Sequence, residues 1–135
     1  MKIKSSYSVK KWDEQTFKQL GPDQKITKAS VEFKVEGDLQ GIAAVEYLMF
    51  YQHFNEKDPH AATATYVGLV QFEGTIKNKK GSFVMEDNGT FEGGAALSKL
   101  RILDKSGSGD LADIRGSGGY RADKTGCTLV LDCEL

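Results

Sequence analysis

The sequence predicts an all-β fold, a closed antiparallel eight-stranded up-and-down (meander) β-barrel. Three observations carry this expectation. Apolar residues recur with period two, as in residues 30–36, where Val31, Phe33 and Val35 alternate with Glu32 and Lys34. No long stretch shows the 3.6-residue period of an amphipathic helix. Candidate strands follow one another through short connections without crossover helices, as in a meander. Closing eight strands into a barrel removes the edges that an open sheet would expose.

The elements follow in order. The first candidate strand surrounds residues 5–12, and residues 13–20 read as a turn of helix. Residues 30–36 form the half-buried strand described above. Residues 42–53 are apolar at both parities, with Ala43, Val45, Tyr47, Met49 and Tyr51 on one face and Ile42, Ala44, Leu48 and Phe50 on the other. A buried helix would share this pattern, but Val45, Tyr47, Phe50 and Tyr51 are β-formers and favour a strand. Residues 63–76 alternate around Gly68 and Gly74. Residues 81–87 lead into Asn88-Gly89, a dipeptide suited to a type I′ hairpin turn. Residues 90–103 form the next strand, with a bulge expected at Gly93-Gly94. Residues 114–121 follow, and the last segment places Cys127, Leu129, Leu131, Cys133 and Leu135 on one face. Both prolines, Pro22 and Pro59, fall in connections.

The doubly apolar segment 42–53 has a further implication. One of its faces fills the barrel, and parity leaves open which one. The other needs a cover, either a terminal segment or a second copy of the chain. A homo-oligomer is therefore expected.

Composition narrows the function classes. At 135 residues the chain is one domain, spanning 1–135, and long enough to fold alone. It carries 18 basic and 19 acidic residues without a long basic run, which argues against a nucleic-acid partner. No apolar window reaches membrane-spanning length and the N-terminal segment lacks an apolar signal core, so a cytoplasmic location is expected. Cys127 and Cys133 lie about 20 Å apart along an extended strand, too far to bridge each other. They read as reduced thiols. No cysteine–histidine cluster suggests a metal, and no cofactor is expected.

Residues 107–120 (GSGDLADIRGSGGY) are the densest glycine run. Their start fits G-x-G-x-x-A, but that pattern cradles a pyrophosphate only between a strand and a helix. Here strands flank the run, and Asp110 and Asp113 would repel phosphate. The run reads as a barrel connection placed to frame the mouth, with Arg115 paired to Asp110 or Asp113. Glu46 sits among apolar neighbours; facing inward, it would be desolvated and would serve as a candidate acid or base. His53 and His60 flank a polar loop and read as solvated. The many aromatics suit either a packed core or a cup for a small apolar molecule.

Taken together, VEYLMFYQ with TYVGLVQFEGTI, then GSFVMEDNGTFEGGAA, then GSGDLADIRGSGGY resemble the bacterial family known as domain of unknown function three-two-two-four. The glycine-rich segment is the most specific part of that resemblance. Ser108, Asp110 and the Ala112-Asp113 pair depart from the family's usual pattern and add acid to the loop. The resemblance implies an eight-stranded barrel similar to allene oxide cyclase and lipocalin-like barrels. It implies no activity.

Three functional readings follow. The leading one is a barrel that binds a small, mostly apolar ligand, with Glu46, Tyr66, Phe83 and Arg115 as candidate lining or mouth residues. The second is an enzyme of the cyclase or isomerase kind that uses a buried acid such as Glu46. The third is a ligand-free packed barrel that acts through oligomeric contacts.

Overall fold

Eight long strands run up and down and close on one another. The computed structural model describes residues 1–135. Its strands are β1 (Lys2–Gln19), β2 (Lys25–Gly37), β3 (Leu39–His53), β4 (Thr63–Ile76), β5 (Lys79–Glu92), β6 (Ala95–Ile102), β7 (Ser108–Gly109), β8 (Arg115–Asp123) and β9 (Gly126–Glu134). Pairing is antiparallel throughout, and β9 returns to β1 to close the barrel. The short β7 adds to the side of β5. A single 3-10 turn, Pro59–Ala61, interrupts the β3–β4 connection. No helix is long and apolar enough to cross a membrane.

Three local expectations are corrected. Residues 13–19 are strand rather than helix, because they pair residue by residue with β2, Glu14 opposite Ala29 and Thr16 opposite Thr27. Asn88-Gly89 is not a turn: Asn88 pairs with Val67 on one side and Lys99 on the other. A strand satisfied along both edges overrides a local turn preference. The chain turns instead at Gly93-Gly94, where the φ angles are +60° and +78°. That pair of left-handed residues is the signature of the tight turn expected five residues earlier, and it stands where a bulge within one strand was expected.

On β3 the odd residues face inward: Ala43, Val45, Tyr47 and Met49 are buried, while Glu46 and Leu48 point outward. Neither terminus covers the outer face, because β1 and β9 both lie in the barrel wall. Leu48 and its cross-strand partner Val67 stand about half exposed, as does Leu69.

The interior divides into two halves. Near the end where β1 begins and β9 ends, Phe72, Phe83, Met85 and Leu131 fill the barrel, and the Phe72 and Phe83 rings lie 5.2 Å apart. Each such side chain contributes roughly 1.5–3 kcal/mol through burial. The loop before β8 then folds across this end, and Leu111 and Ile114 plug it, 0% and 3% exposed. The plug fits because β5 has only Gly81 beneath it; a Cβ there would stand 3.1 Å from the Leu111 side chain. The first half of the glycine-rich run, residues 107–114, therefore forms the barrel's floor and not its mouth, while its second half enters the wall as β8.

The opposite end is open. β1 pairs with β9 only from Lys2 to Ser6, and beyond that it holds on to β2 alone. A bulge between Val9 and Lys11 switches the inward face of β1 from odd to even residues. Trp12 and Glu14 then lie opposite the inward-facing Val31 and Ala29. Glu14 accepts hydrogen bonds from the hydroxyls of Thr27 and Tyr51, both at 2.6 Å, which tie this half of β1 across the barrel end.

A tyrosine-lined cup as the candidate functional site

The gap between β1 and the β8–β9 turn opens into a cavity of about 600 Å³. Tyr7, Val9 and Trp12 line one side of it, and residues 122–127 line the other. Its inner wall carries Tyr47, Tyr66 and Tyr120.

Strand register brings these groups together. One row around the barrel reads Tyr47, Gly68, Asp87, Leu100 across β3, β4, β5 and β6. The adjacent row reads Tyr66, Gly89, Ser98, Tyr120 across β4, β5, β6 and β8. Each row places a glycine next to a tyrosine, and the glycine clears space for the ring. A Cβ on Gly68 would stand 2.7 Å from Tyr47 Cδ1, and one on Gly89 would stand 2.6 Å from Tyr66 Cζ. Neither separation is compatible with van der Waals contact.

The polar tips meet behind the cavity wall. Tyr47 Oη donates to Asp87 Oδ2 at 2.8 Å and Tyr120 Oη donates to the same oxygen at 3.2 Å. The two hydroxyl oxygens lie 3.0 Å apart. Tyr66 Oη and Ser98 Oγ share a hydrogen bond at 2.5 Å. The Tyr47 and Tyr66 rings meet edge to face at 5.3 Å, and Tyr7 stacks on Phe33 at 4.8 Å. Two buried polar atoms of the cluster have no partner, Tyr7 Oη and Asp87 Oδ1.

Asp87 is fully buried, and no cation pairs with it. Burial raises its carboxyl above the usual carboxylate range, and the nearby Ser98 hydroxyl with the hydrogen bonds from Tyr47 and Tyr120 partly offset that rise. Burial likewise raises the phenols of Tyr7, Tyr47, Tyr66 and Tyr120, and the nearby Asp87 carboxylate adds to the effect, so all four stay protonated. Cys127, at the cup wall, is a free thiol that burial pushes up to about 11. Nowhere do three histidine, cysteine or acidic side chains gather as a metal site.

Over residues 3–132 the sequence matches the family described as "Protein of unknown function (DUF3224)". The chain belongs to this family. A crystal structure of a DUF3224 protein of unknown function from Shewanella oneidensis MR-1 superposes with a TM-score of 0.80 at 17% identity. The match covers 100% of this chain and 97% of that one, so the two share a fold from end to end. No protein of curated function matches the chain.

Within this DUF3224 barrel the four candidate residues separate. Tyr66 lines the cup and is buried. Phe83 is buried on the same strand as Asp87, but it packs on Phe72 in the filled half. Glu46 lies on the outer surface and accepts from Ser30 Oγ at 2.7 and 2.9 Å, so it is not an interior acid. Arg115 is exposed at the start of β8, the floor end, and forms no ion pair with Asp110 or Asp113. Asp110 instead caps the backbone N–H of Lys80.

Asp87, Tyr7, Tyr47 and Tyr120 escaped the sequence reading. The signal for Asp87 was its parity with Phe83 and Met85, which places it inward once the strand continues past Asn88. Of the histidines, His60 lines the cavity rim, while His53 stands exposed beside Asp23 at 3.3 Å.

Proposed function

We propose that this barrel binds a small, mostly apolar molecule in the cup, with the Asp87–tyrosine cluster recognising the ligand's polar end. The observation that carries this reading is an apolar-walled cavity seated on a buried polar cluster with two unpartnered atoms. Its volume, about 600 Å³, falls within the roughly 300–1,000 Å³ range of small-molecule pockets. A barrel that acted only through its outer surface would have no need of a buried aspartate, which costs several kcal/mol to desolvate. Native mass spectrometry of freshly purified protein tests the reading. A reproducible bound mass, lost in a Tyr66→Trp variant that fills the cup, is the expected result. Absence of any adduct across independent preparations, together with no stabilisation by apolar probes, would overturn it.

A cyclase or isomerase reading rests on a different observation. Asp87 holds its proton more tightly than an ordinary carboxyl and contacts two phenols, so the cluster can hold or pass a proton beside a bound substrate. The acid in that reading is Asp87, in place of Glu46. The exposed Leu48, Val67 and Leu69 support a second copy of the chain as the cover for the outer face.

A further inference from the structure

Resting on the reading of the cup as a ligand site, we propose that its ligand is an amine, an apolar body carrying a protonated nitrogen. A tyrosine hydroxyl has one hydrogen and two lone pairs. Tyr47 and Tyr120 both direct that hydrogen to Asp87 Oδ2. What these hydroxyls can still offer is acceptor capacity, and donation to a carboxylate strengthens it. A ligand group placed against them must therefore donate. A carboxylate or carbonyl, which only accepts, finds lone pairs facing lone pairs when placed against these two hydroxyls; Tyr7 Oη keeps its hydrogen free elsewhere on the wall.

Charge points the same way. The buried polar or charged residues are Ser5, Thr27, Asp87 and Ser98, without a lysine or arginine among them. Buried carboxylates ordinarily have a cationic partner. Here the chain supplies none, and Asp87 Oδ1 is left without any hydrogen bond. An ammonium group in the cup, seated against the Tyr47 and Tyr120 hydroxyls that stand between it and Asp87, supplies the missing counter-charge. The walls suit it too, because Tyr7, Tyr47, Tyr66, Tyr120, Phe33 and Trp12 line the cavity. Aromatic faces attract a desolvated cation through the negative face of the ring quadrupole. Fixed cations are confined to the rim, where Lys124 shares the β8–β9 turn with Asp123. A fatty-acid-type anion would have no such partner inside.

The test compares three probes with one body and different heads: octylamine, octanol and octanoate. Trp12 is the chain's single tryptophan and stands at the mouth, so its fluorescence reports occupancy, with calorimetry as the second measurement. The expected order is octylamine tighter than octanol by about tenfold or more, the scale of a charge-assisted hydrogen bond, with octanoate weakest. Asp87→Asn keeps the shape and removes the charge; it should abolish the preference for the amine, bringing octylamine to within about twofold of octanol. Should Asp87→Asn fail to fold, Tyr120→Phe removes one acceptor and should weaken octylamine selectively. Octanol or octanoate binding as tightly as octylamine would overturn the amine proposal and leave the cup reading standing. Failure of all three probes, with no adduct in native mass spectra, would remove both.

Discussion

Replacing Gly68 by alanine tests the glycine–tyrosine register that builds the cup. The new Cβ would stand 2.7 Å from Tyr47 Cδ1 and 2.7 Å from the Glu46 carbonyl oxygen. Relief comes most readily from the Tyr47 ring, but moving it draws Oη away from Asp87, now 2.8 Å distant. Overpacking a tight site costs roughly 1–3 kcal/mol, and a hydrogen bond to a charged group is worth about 1.5–3 kcal/mol. Alanine gains back about 0.5–1 kcal/mol over glycine in a strand. The net loss is therefore about 2–4 kcal/mol. Urea unfolding at 25 °C reads this as a midpoint lowered by about 1–2 M, given a slope near 2 kcal/mol/M for a chain of this size. The decisive comparison is a double-mutant cycle with Tyr47→Ala. Without the ring, Gly68→Ala should cost less than about 1 kcal/mol, which gives a coupling of about 2 kcal/mol between the sites. Equal cost in both backgrounds would refute the reasoning, since the strain would then lie with the Glu46 backbone and Gly68 would owe nothing to Tyr47.

Other outcomes follow from the same structure. Asp87 is more readily protonated in the folded chain than in the unfolded one, so its contribution to stability is full below the ordinary aspartate range and is lost as pH rises through its raised folded value. Subtracting the urea midpoints of Asp87→Asn from those of the wild type across this window should show wild-type stability falling with rising pH; a flat or rising difference would contradict the assignment. Leu111→Ala removes the fully buried floor plug and should cost about 3 kcal/mol. A calorimetric Tm lower by about 10 °C, with unchanged octylamine affinity, is the corresponding result. The Cys127 thiol, raised to about 11 from a usual 9.0, should carry about 100-fold less thiolate near neutral pH. Mass-spectrometric counting of alkylation at that residue should show it lagging a free thiol accordingly. Self-association through the outer face predicts a mass by light scattering that falls to the monomer in Leu48→Lys; a monomer in the wild type at micromolar concentration would dismiss the idea.

Period-two alternation made the barrel readable, because a wall with one dry face writes its parity into every strand. It failed where both faces of a segment were apolar. In β3 nothing local distinguished the row with Tyr47 from the row with Glu46; the choice was made by the inward faces of β2 and β4 on either side. The start of β1 was legible, but its continuation through Asp13 and Glu14 was not, since a polar strand held to one neighbour carries no apolar alternation. Asp87 was hidden by a turn preference that lost to pairing along both edges. Tyr66 was found as an aromatic on an alternating strand. Arg115 was overvalued because a glycine-rich run around one arginine resembles a binding loop, whereas these glycines serve close packing beneath the barrel and between β8 and its neighbours in the wall.

The contact between the Tyr47 and Tyr120 hydroxyls spans 73 positions of chain, and the cluster as a whole draws on β1, β3, β4, β5, β6 and β8. No hairpin or three-stranded fragment contains it. The site comes into being only when the meander has met its own end, so a partly folded chain has nothing for a ligand to hold. Binding energy is then coupled to barrel closure as a whole and not to a single loop. A ligand present at 100 times its Kd would deepen the native well by about 2.7 kcal/mol. A melting-temperature screen would therefore detect a true occupant of the cup whatever its chemical class.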